Sequence, residues 1–504
     1  MDKYAVGVDI GTTSTKAILF DQSGVALKKA FAGYTILSPE PSFREMDPET
    51  IADAAVRTIR EVTEGLPKEE IALVSFSALM HSLLAVDGEG RPLTNCIIWA
   101  DCRSADYARA YAENGEGLAI YRRTGTPCHP MSPLYKLMWL RDHQQEVYQK
   151  AVKFISIKEY IFHKFCGQYL VDASIASATG LYNLFTGDWD ADVLRLLGLE
   201  TSRFSEVVPT TFRLPAVHSG MLEALGVDTH TAFIAGGSDG CLANLGSGAV
   251  TKGTAAITIG TSGAVRVCFD KPVTDRLGRV FCYVLAENKY IVGGPINNGG
   301  IVYQWFRNTF GQEEQARAES EGLKSYAYLD RYIEETPPGS HDLLLLPFLM
   351  GERAPYWNAN MRGAFVGITD AHTKRDFTRA SVESICYAIN SVFRVVASLV
   401  GEIDHVYADG GFTKNPECVH ILSDVLDTSI SVFENTESAC FGAVKLGWKA
   451  LGVISSLETG FDAADHIDTY TPREQNRACY DRLFRLYTQA VEGLTPVFEG
   501  FAEK

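Results

Sequence analysis

Short apolar runs, typical of buried strands, alternate along this chain with segments whose apolar residues recur at helical spacing. Tyr4 to Val8 and Lys16 to Phe20 flank a polar turn and predict a hairpin, which the run from Ala26 to Ala32 extends by a third strand. Asp47 then suits a helix N-cap, and Pro48 suits the first helical position. This alternation of strands and helices predicts an α/β fold.

The pattern of the first hairpin returns in the second half of the chain. AAITIGTSGAVRV, from Ala255 to Val267, again predicts a strand, a Gly-Thr-Ser turn and a strand. The echo favours a diverged duplication, although an ordinary β-turn explains so short a repeat equally well. Arg375 to Val400 predict a long helix, and the segment from His405 predicts a strand, a glycine turn and a helix beginning at Asn415. We therefore expect two domains, residues 1–246 and 247–504.

Composition narrows the class of protein. A chain of 504 residues is long enough for two large domains with cores of their own. The net charge of -16 argues against broad binding of nucleic acids or anionic membranes, so an anionic substrate would need a local basic pocket. The 11 cysteines contain no CxxC pair, which disfavours a zinc site or a disulfide framework. Without a signal peptide or an apolar run of membrane-spanning length, we expect a soluble cytoplasmic protein.

The turn of the first hairpin, GTTSTK, is a candidate phosphate loop. It is neither a Walker A loop nor a dinucleotide fingerprint, since both spacings are absent from the chain. Gly11 nevertheless permits close approach, and backbone N–H groups with Thr and Ser hydroxyls can surround phosphate oxygens. Lys16 adds a positive charge, and Asp9 could hold Mg²⁺ through water. A polar hairpin turn without a ligand is an equally good interpretation.

Three further loops carry candidate chemistry. Asp239 follows a predicted strand, Phe233 to Ala235, in a setting of small residues where a general base could reach a hydroxyl nucleophile, although a helix cap or a turn uses the same residue. Gly260 to Gly263 form a second candidate phosphate turn. Gly410 and Gly411 precede the helix that begins at Asn415, and such a helix N-terminus favours anions.

A fifth group of residues suits a polyhydroxy ligand, which needs an aromatic wall and polar partners. Core packing is the alternative for any single histidine or tryptophan among them. The group consists of Met80, His81, Trp99, Asp101, Arg103 and His129.

Taken in order, these motifs resemble the FGGY family of carbohydrate kinases. The matching stretches are DIGTTSTK, GGSDG, TIGTSG, LMGERAPYWNANMRGAFVG and DGGFTKNPECVHILSDVLD. The resemblance implies two actin-like, ribonuclease H-like ATPase domains with a catalytic cleft between them, and it implies ATP and Mg²⁺ as cofactors. FSALMHSLLAVD, CIIWADCRS, YRRTGTPCHPMSPLYK and GGPINNGGIV resemble most closely the gluconate kinases of this family. That resemblance implies transfer of phosphate from ATP to the terminal hydroxyl of D-gluconate, giving 6-phosphogluconate.

The resemblance also implies roles for individual residues. Asp239 would be the general base, and Asp9 would help to bind Mg²⁺. The sugar would be framed by Met80, His81, Trp99, Asp101 and Asp239, with the loop from His129 to Met131 nearby. The nucleotide would contact Gly11, Thr12, Thr13, Ser14, Lys16, Gly260, Thr261, Gly300, Gln304, Gly411 and Asn415.

One position departs from the family pattern. Many members carry Asn or Gln after the catalytic aspartate, whereas this chain has Gly240, which disfavours a plain ketopentose or glycerol. Gluconate adds a carboxylate, for which we select Arg103 and His129 as partners. A kinase for xylulose or a related pentose is the first alternative, and an actin-like ATPase without sugar kinase activity is the second. We expect small-molecule partners only, and a homodimer as the commonest assembly.

Overall fold

The computed structural model describes residues 4–433, 437–458 and 467–502. The strands in this part of the chain are β1 (Tyr4–Ile10), β2 (Ser14–Asp21), β3 (Ala26–Gly33), β4 (Glu45–Met46), β5 (Ile71–Ala78), β6 (Leu84–Val86), β7 (Cys96–Ile97), β8 (Lys153–Ile155), β9 (Leu170–Asp172), β10 (Tyr182–Asn183), β11 (Asp188–Trp189), β12 (Glu206–Val208), β13 (Ala232–Ser238), β14 (Thr254–Ile259), β15 (Gly263–Phe269), β16 (Phe281–Ala286), β17 (Lys289–Ile296), β18 (Leu344–Pro347), β19 (Gly363–Val366), β20 (His405–Asp409), β21 (Ser429–Phe433) and β22 (Ile467–Tyr470).

The helices in the same part of the chain are α1 (Pro48–Thr63), α2 (Ala105–Glu113), α3 (Glu116–Thr124), α4 (Pro133–His143), α5 (Gln145–Lys150), α6 (Ile157–Cys166), α7 (Ala173–Ser177), α8 (Ala191–Leu197), α9 (Ser219–Leu225), α10 (Asp239–Gly246), α11 (Ile301–Phe310), α12 (Gln312–Ser320), α13 (Ala327–Glu335), α14 (Lys374–Val400), α15 (Pro416–Leu426), α16 (Ser438–Ala450) and α17 (Glu474–Gly500).

The chain folds into two compact units, each built from segments that are not contiguous in sequence. Among the described residues, the first unit contains 4–251, 268–292 and 437–458, and the second contains 252–267, 293–433 and 467–502. Mixed sheets covered by helices in both units confirm the predicted α/β class.

The first large sheet has the strand order β13-β5-β1-β2-β3 in the described chain. β1 and β2 pair antiparallel with Asp9 opposite Lys16, which confirms the predicted hairpin, and β3 extends it as expected. β5 lies parallel to β1 on one side and parallel to β13 on the other. The carboxyl ends of three neighbouring strands therefore lie at one edge of this sheet.

Helix α1 packs against the hairpin of this sheet. Its apolar face buries Ile51, Ala55 and Ile59, which recur at helical spacing. Asp47 caps the helix by accepting from the backbone N–H groups of Glu49 and Thr50, with Pro48 as the first helical residue. Both sequence predictions for this helix are confirmed.

The second large sheet has the order β16-β17-β15-β14-β20-β21-β22 in the described chain. β14 and β15 form the predicted hairpin, and β20 lies parallel to β14. The first sheet has the same local arrangement, in which a hairpin has a parallel strand beside its first strand. The turns GTTSTK and GTSG are therefore similar both in sequence and in the pairing of the strands around them.

Helix α14 is the long helix predicted from Arg375 to Val400, and it begins at Lys374. By length and composition it could cross a membrane, but 72% of its most apolar window is buried, as in the core helix of a globular unit. It contains the buried ion pair Arg379–Glu383, whose Nε–Oε1 distance is 2.9 Å.

Strand β7 is shorter than the apolar run that contains it. The run extends from Cys96 to Ala100, but β7 ends at Ile97. The carbonyl oxygen of Ile98 accepts from the Lys136 ammonium and from the backbone N–H of Asp101, so the chain turns there instead of continuing a ladder.

Candidate active site

The candidate site residues of the first unit lie at the carboxyl edge of its parallel strands. Ile10 pairs with Ala78, and Ala78 pairs with Ser238. The edge therefore brings together Asp9, the loop that follows β5 and contains His81, and Asp239. Ligands of open α/β sheets bind at such carboxyl edges.

The first glycine turn is held in shape by Tyr34. Its phenolic hydroxyl donates to the carbonyl oxygen of Gly11 at 2.6 Å, and its backbone N–H donates to that of Thr13 at 3.1 Å. The indole N–H of Trp99 donates to the Thr12 hydroxyl at 3.0 Å. The structure thus brings a residue predicted to frame the sugar into contact with one predicted to bind phosphate. Ser14 lies on the same turn and is partly exposed.

Asp9 is fixed on β1 by Ser77, whose hydroxyl donates to Asp9 Oδ1 at 2.7 Å. Burial raises the pKa of Asp9, while the hydrogen bond from Ser77 and the charge of Lys16 act in the opposite direction. The described residues contain no cluster of three or more His, Cys, Asp or Glu side chains suited to a metal. A single carboxylate nevertheless fits Mg²⁺ brought by a nucleotide, because Mg²⁺ keeps water and phosphate oxygens in its shell.

Lys16 has an ion-pair partner that is remote in sequence. Its ammonium lies 2.7 Å from Glu437 Oε2, and Lys29 lies 3.3 Å from Oε1 of the same carboxylate. Burial alone would lower the pKa of Lys16, but the hydrogen bond and the charge of Glu437 raise it overall. Lys16 therefore stays protonated in the physiological range, as a phosphate ligand must.

Asp239 is the first residue of α10, and Ser238 occupies the N-cap position. The Asp239 carboxylate accepts the backbone N–H of Gly240 at 2.7 Å, and the residue is partly exposed. Ser238 takes the N-cap position by its backbone, but its side chain makes no capping hydrogen bond. The aspartate lies at the end of β13, directly beside the edge that carries Asp9.

The loop after β5 holds His81 in an unusual backbone conformation, with a φ of 64°. Its ring nitrogen Nδ1 lies 2.6 Å from the carbonyl oxygen of Ala178, and its ring meets Tyr283 edge-on at 5.8 Å. Met80 is partly buried against a cluster of apolar residues that includes Ala178 and Tyr283. A left-handed φ in a histidine costs conformational energy, so its neighbours must hold this loop.

A buried lysine joins the two loops that carry the predicted sugar contacts. Lys136 on α4 donates to the carbonyl oxygens of His81 at 2.6 Å and of Ile98 at 2.9 Å. Burial lowers its pKa to about 7, although the charge of Asp101 raises it. Lys136 therefore fixes the backbone of both loops, at His81 and beside Trp99.

Asp101 and Arg103 bind each other. The Asp101 carboxylate is fully buried and accepts from Arg103 Nε at 2.9 Å, from Arg103 Nη2 at 2.8 Å and from the backbone N–H of Arg44 at 2.6 Å. The Arg103 side chain is 2% exposed, pairs also with Glu45 and stacks on Phe43 at 3.7 Å. This geometry argues against the direct carboxylate contact predicted for Arg103 and favours a role in holding the loop.

His129 is partly exposed and lies in the turn before α4. Its Nδ1 accepts the backbone N–H of Met131 at 3.2 Å, so the neutral ring carries its proton on Nε2. Its predicted contact with a substrate carboxylate remains compatible with that arrangement.

The candidate nucleotide residues of the second unit meet at the carboxyl edge of β14 and β20. The backbone N–H of Gly300 donates to the carbonyl oxygen of Gly260 at 2.7 Å, and that of Ile301 donates to Thr261 at 3.1 Å. A Cβ at Gly300 would lie 2.7 Å from the Gly260 oxygen, so the contact requires glycine. Gly410 has a φ of 100° and packs against Ile259. Three separate stretches, residues 259–261, 300–301 and 410, thus converge on this edge.

The remaining candidates of this unit lie on its helices. Asn415 caps α15 by accepting from Glu417 N at 2.9 Å and Cys418 N at 3.4 Å, as predicted from the Asn-Pro pair. Gln304 on α11 and Gly411 beside the β20 edge are exposed. Both are open to a ligand, whereas the carbonyl of the Asn415 amide is engaged within the protein.

Models of two protein domains match most of the chain. The N-terminal domain of the FGGY family of carbohydrate kinases matches residues 4–246, and its C-terminal domain matches residues 255–451. This chain belongs to the FGGY family of carbohydrate kinases. Membership in a kinase family implies ATP as the phosphoryl donor and a small carbohydrate as the acceptor.

Individual relatives of this FGGY kinase cover nearly all of it. Gluconokinase of Bacillus subtilis (strain 168) is 41% identical over 97% of this chain and 95% of its own length. Two solved structures from Lactobacillus acidophilus, a gluconate kinase and a ligand-bound xylulose kinase, each superpose with a TM-score of 0.94 at 34% identity and cover 99% of this chain. The first covers 99% of its own chain and the second 100%. These likenesses confirm the predicted fold.

Several residues that shape the FGGY kinase site escaped the sequence analysis. These are Tyr34 directly after β3, Glu437 directly before α16 and Lys158 on α6, and each contacts the site from another part of the sequence. A weak signal existed for the buried lysines, because Lys136 in PLYKLMWL and Lys158 in IKEYIF each interrupt an apolar stretch. The partner of each lysine could not be predicted without the fold.

Proposed function

We propose that this enzyme transfers the γ-phosphoryl group of ATP to the terminal hydroxyl of D-gluconate, giving 6-phosphogluconate and ADP. The observation that carries the proposal is the shared edge of the first sheet, where Asp9, the His81 loop and Asp239 follow neighbouring strands. The contact between Trp99 and Thr12 supports a sugar bound directly beside the phosphate turn.

Asp239 acts as the general base of this reaction. Its carboxylate takes the proton of the sugar hydroxyl while the hydroxyl oxygen forms a bond to the γ-phosphorus. The bond between that phosphorus and the β–γ bridging oxygen breaks, and ADP leaves with the electron pair. Gly240 places no side chain beside that carboxylate, and Asp239 itself is partly exposed.

The phosphates are held by glycine turns and one cation. The backbone and hydroxyl groups of Gly11, Thr12, Thr13 and Ser14, together with Lys16, bind them on the first unit. Gly260, Thr261, Gly300, Gln304, Gly411 and Asn415 bind the nucleotide on the second unit. Asp9 would hold Mg²⁺, which neutralises phosphate charge when it is bound.

The sugar is framed by Met80, His81 and Trp99, with Asp239 at its reacting end. Asp101, predicted as a further contact, is fully buried and paired with Arg103, so it holds the loop rather than the sugar. Gluconate is preferred over xylulose because the relative that is 41% identical is a gluconokinase and because Gly240 removes a polar side chain beside the base. The xylulose kinase of Lactobacillus acidophilus makes xylulose the competing substrate. His129 is the better candidate for the carboxylate, since Arg103 is buried and paired.

We also propose a cytoplasmic location, supported by the demand for ATP. The proposed sequence domains are 1–246 and 247–504, which parallel the two matched family domains, while segments 268–292 and 437–458 pack within the first compact unit. A homodimer remains a prediction.

The test is a coupled assay of ADP release with gluconate, xylulose, ribulose and glycerol, with and without Mg²⁺. We expect Mg²⁺-dependent release with gluconate at a kcat/KM about tenfold or more above that with xylulose, the scale set by one missing polar contact. A larger kcat/KM for xylulose would reassign the substrate. A rate of ATP hydrolysis that none of the four sugars changes would instead support an actin-like ATPase without kinase activity.

A further inference from the structure

The strand that carries Asp239 is irregular just before the aspartate. β13 loses register with β5 between Ile234 and Gly237. Gly236 has a φ of 69°, and a Cβ there would lie 1.8 Å from the carbonyl oxygen of Phe76, so this bulge requires glycine. The backbone N–H of Gly236 donates to Thr210 instead of to the sheet. Ladder hydrogen bonds alone therefore do not fix the end of this strand.

A buried ion pair also helps to fix the end of β13. Lys158 on α6 is 1% exposed, and its ammonium lies 2.8 Å from Asp172 Oδ2 and 3.1 Å from the carbonyl oxygen of Gly237. Asp172 is itself fixed, because its Oδ1 caps α7 by accepting from Ile175 N at 3.0 Å. The ion pair thus connects two helices with the residue that lies two positions before Asp239.

A serine holds the next residue. The backbone N–H of Ser238 donates to Ser174 Oγ at 3.1 Å, and the two hydroxyl oxygens lie 3.0 Å apart. Ser174 and Ser238 are both fully buried. Side chains therefore hold both residues between the bulge and Asp239.

We propose that Lys158, Asp172 and Ser174, here called the Asp239 clamp, are positioning residues that set the angle at which Asp239 meets the sugar hydroxyl. The proposal rests on the role of Asp239 given above. A purely stabilising ion pair would need only two charged partners. Lys158 also donates to the carbonyl oxygen of Gly237, and Ser174 accepts the backbone N–H of Ser238. Both hydrogen bonds hold the backbone that leads directly into Asp239.

Lys158→Met and Ser174→Ala test the clamp. Misplacement of a reacting group by about 1 Å can cost about 100-fold in rate, so we expect kcat of Lys158→Met to fall about 100-fold. Ser174→Ala removes one hydrogen bond, and we expect a fall of about tenfold. The KM for gluconate should stay within about twofold in both, since the clamp touches none of the residues that frame the sugar.

Arg379→Met is the matched control, because it breaks an equally buried ion pair of the second unit. We expect it to lower the unfolding midpoint while leaving kcat per folded molecule unchanged. The clamp is refuted if Lys158→Met and Ser174→Ala keep wild-type kcat, or if their KM rises in step with the loss of kcat. Should Lys158→Met fail to fold, Ser174→Ala alone decides. Absence of gluconate-dependent ADP release in the wild type would instead overturn the proposed function.

Discussion

Lys136 and Lys158 are two buried lysines of the first unit that perform similar tasks with different partners. Lys136 donates to the carbonyl oxygens of His81 and Ile98, beside the predicted sugar contacts. Lys158 donates to the carbonyl oxygen of Gly237, beside the predicted base, and also to Asp172. Among the described residues, a carboxylate forms an ion pair with Lys158 but not with Lys136.

The two lysines differ in how the protein compensates their buried charge. Burial lowers the pKa of both lysines, and for Lys136 the value falls to about 7. The dipoles of two carbonyl groups compensate an ammonium less well than a carboxylate does. Removing Lys158 leaves a buried negative charge behind. Removing Lys136 takes the ammonium from two neutral carbonyl oxygens, and that of Ile98 still accepts from the backbone N–H of Asp101. The two variants should therefore fail in different ways.

The largest expected difference is in stability. Lys158→Met should lower the free energy of unfolding by about 3–5 kcal/mol, because Asp172 is left buried and unpaired. Lys136→Met should cost about 1–3 kcal/mol for its carbonyl acceptors. Urea unfolding at pH 7.5 measures both, and Lys158→Met/Asp172→Asn should recover part of the loss. Equal losses in the two single variants would contradict the comparison.

The next effect is kinetic: Lys158 should affect kcat, whereas Lys136 should affect mainly the KM for gluconate. Lys136 holds the backbone of the His81 and Trp99 loops, so Lys136→Met should raise the KM for gluconate about tenfold and change kcat less. Steady-state assays over a range of gluconate concentrations measure this. A fall in kcat without any change in KM would assign Lys136 to the positioning of the base, as proposed for Lys158, and would remove the distinction.

The pH dependence of stability should follow Lys136. Its pKa is lowered from 10.5 in the unfolded chain to about 7 in the folded protein, so above pH 7 the unfolded state binds more protons. The contribution of this lysine to stability therefore rises with pH, by at most about 1.4 kcal/mol per pH unit. Urea unfolding of wild type and Lys136→Met from pH 7 to pH 9 should show a difference that shifts in favour of the wild type as pH rises. A difference independent of pH would show that Lys136 keeps its ordinary pKa.

The smallest effect is expected at a more exposed lysine. The Lys16 side chain is 22% exposed and pairs with Glu437. Glu437→Gln should lower stability by less than about 1 kcal/mol, since solvent screens this pair. We expect the KM for ATP to change by about threefold or less, as measured by ADP release at saturating gluconate. A stability loss as large as that of Lys158→Met would mean that exposure does not control these pairs.

The sequence predicted most of the local structure. The hairpins, the Asp47 and Asn415 caps and the long α14 follow from apolar spacing and from residues with strong positional preferences. Contacts between distant segments could not be predicted, because the spacing of apolar residues does not specify which helix packs against which loop. Lys158 therefore could not be linked to Gly237, and Arg103 was predicted to face a ligand although Asp101 and Glu45 hold it.

The role of Asp239 is tested by comparing the wild type with Asp239→Asn in gluconate-dependent ADP release, with gluconate binding measured separately by calorimetry. Loss of a general base should lower kcat by about 10²–10⁴-fold while gluconate still binds within a few fold of the wild-type affinity. A variant that keeps wild-type kcat with gluconate would contradict the central claim that Asp239, held at the carboxyl edge of the first sheet, is the base of a gluconate kinase.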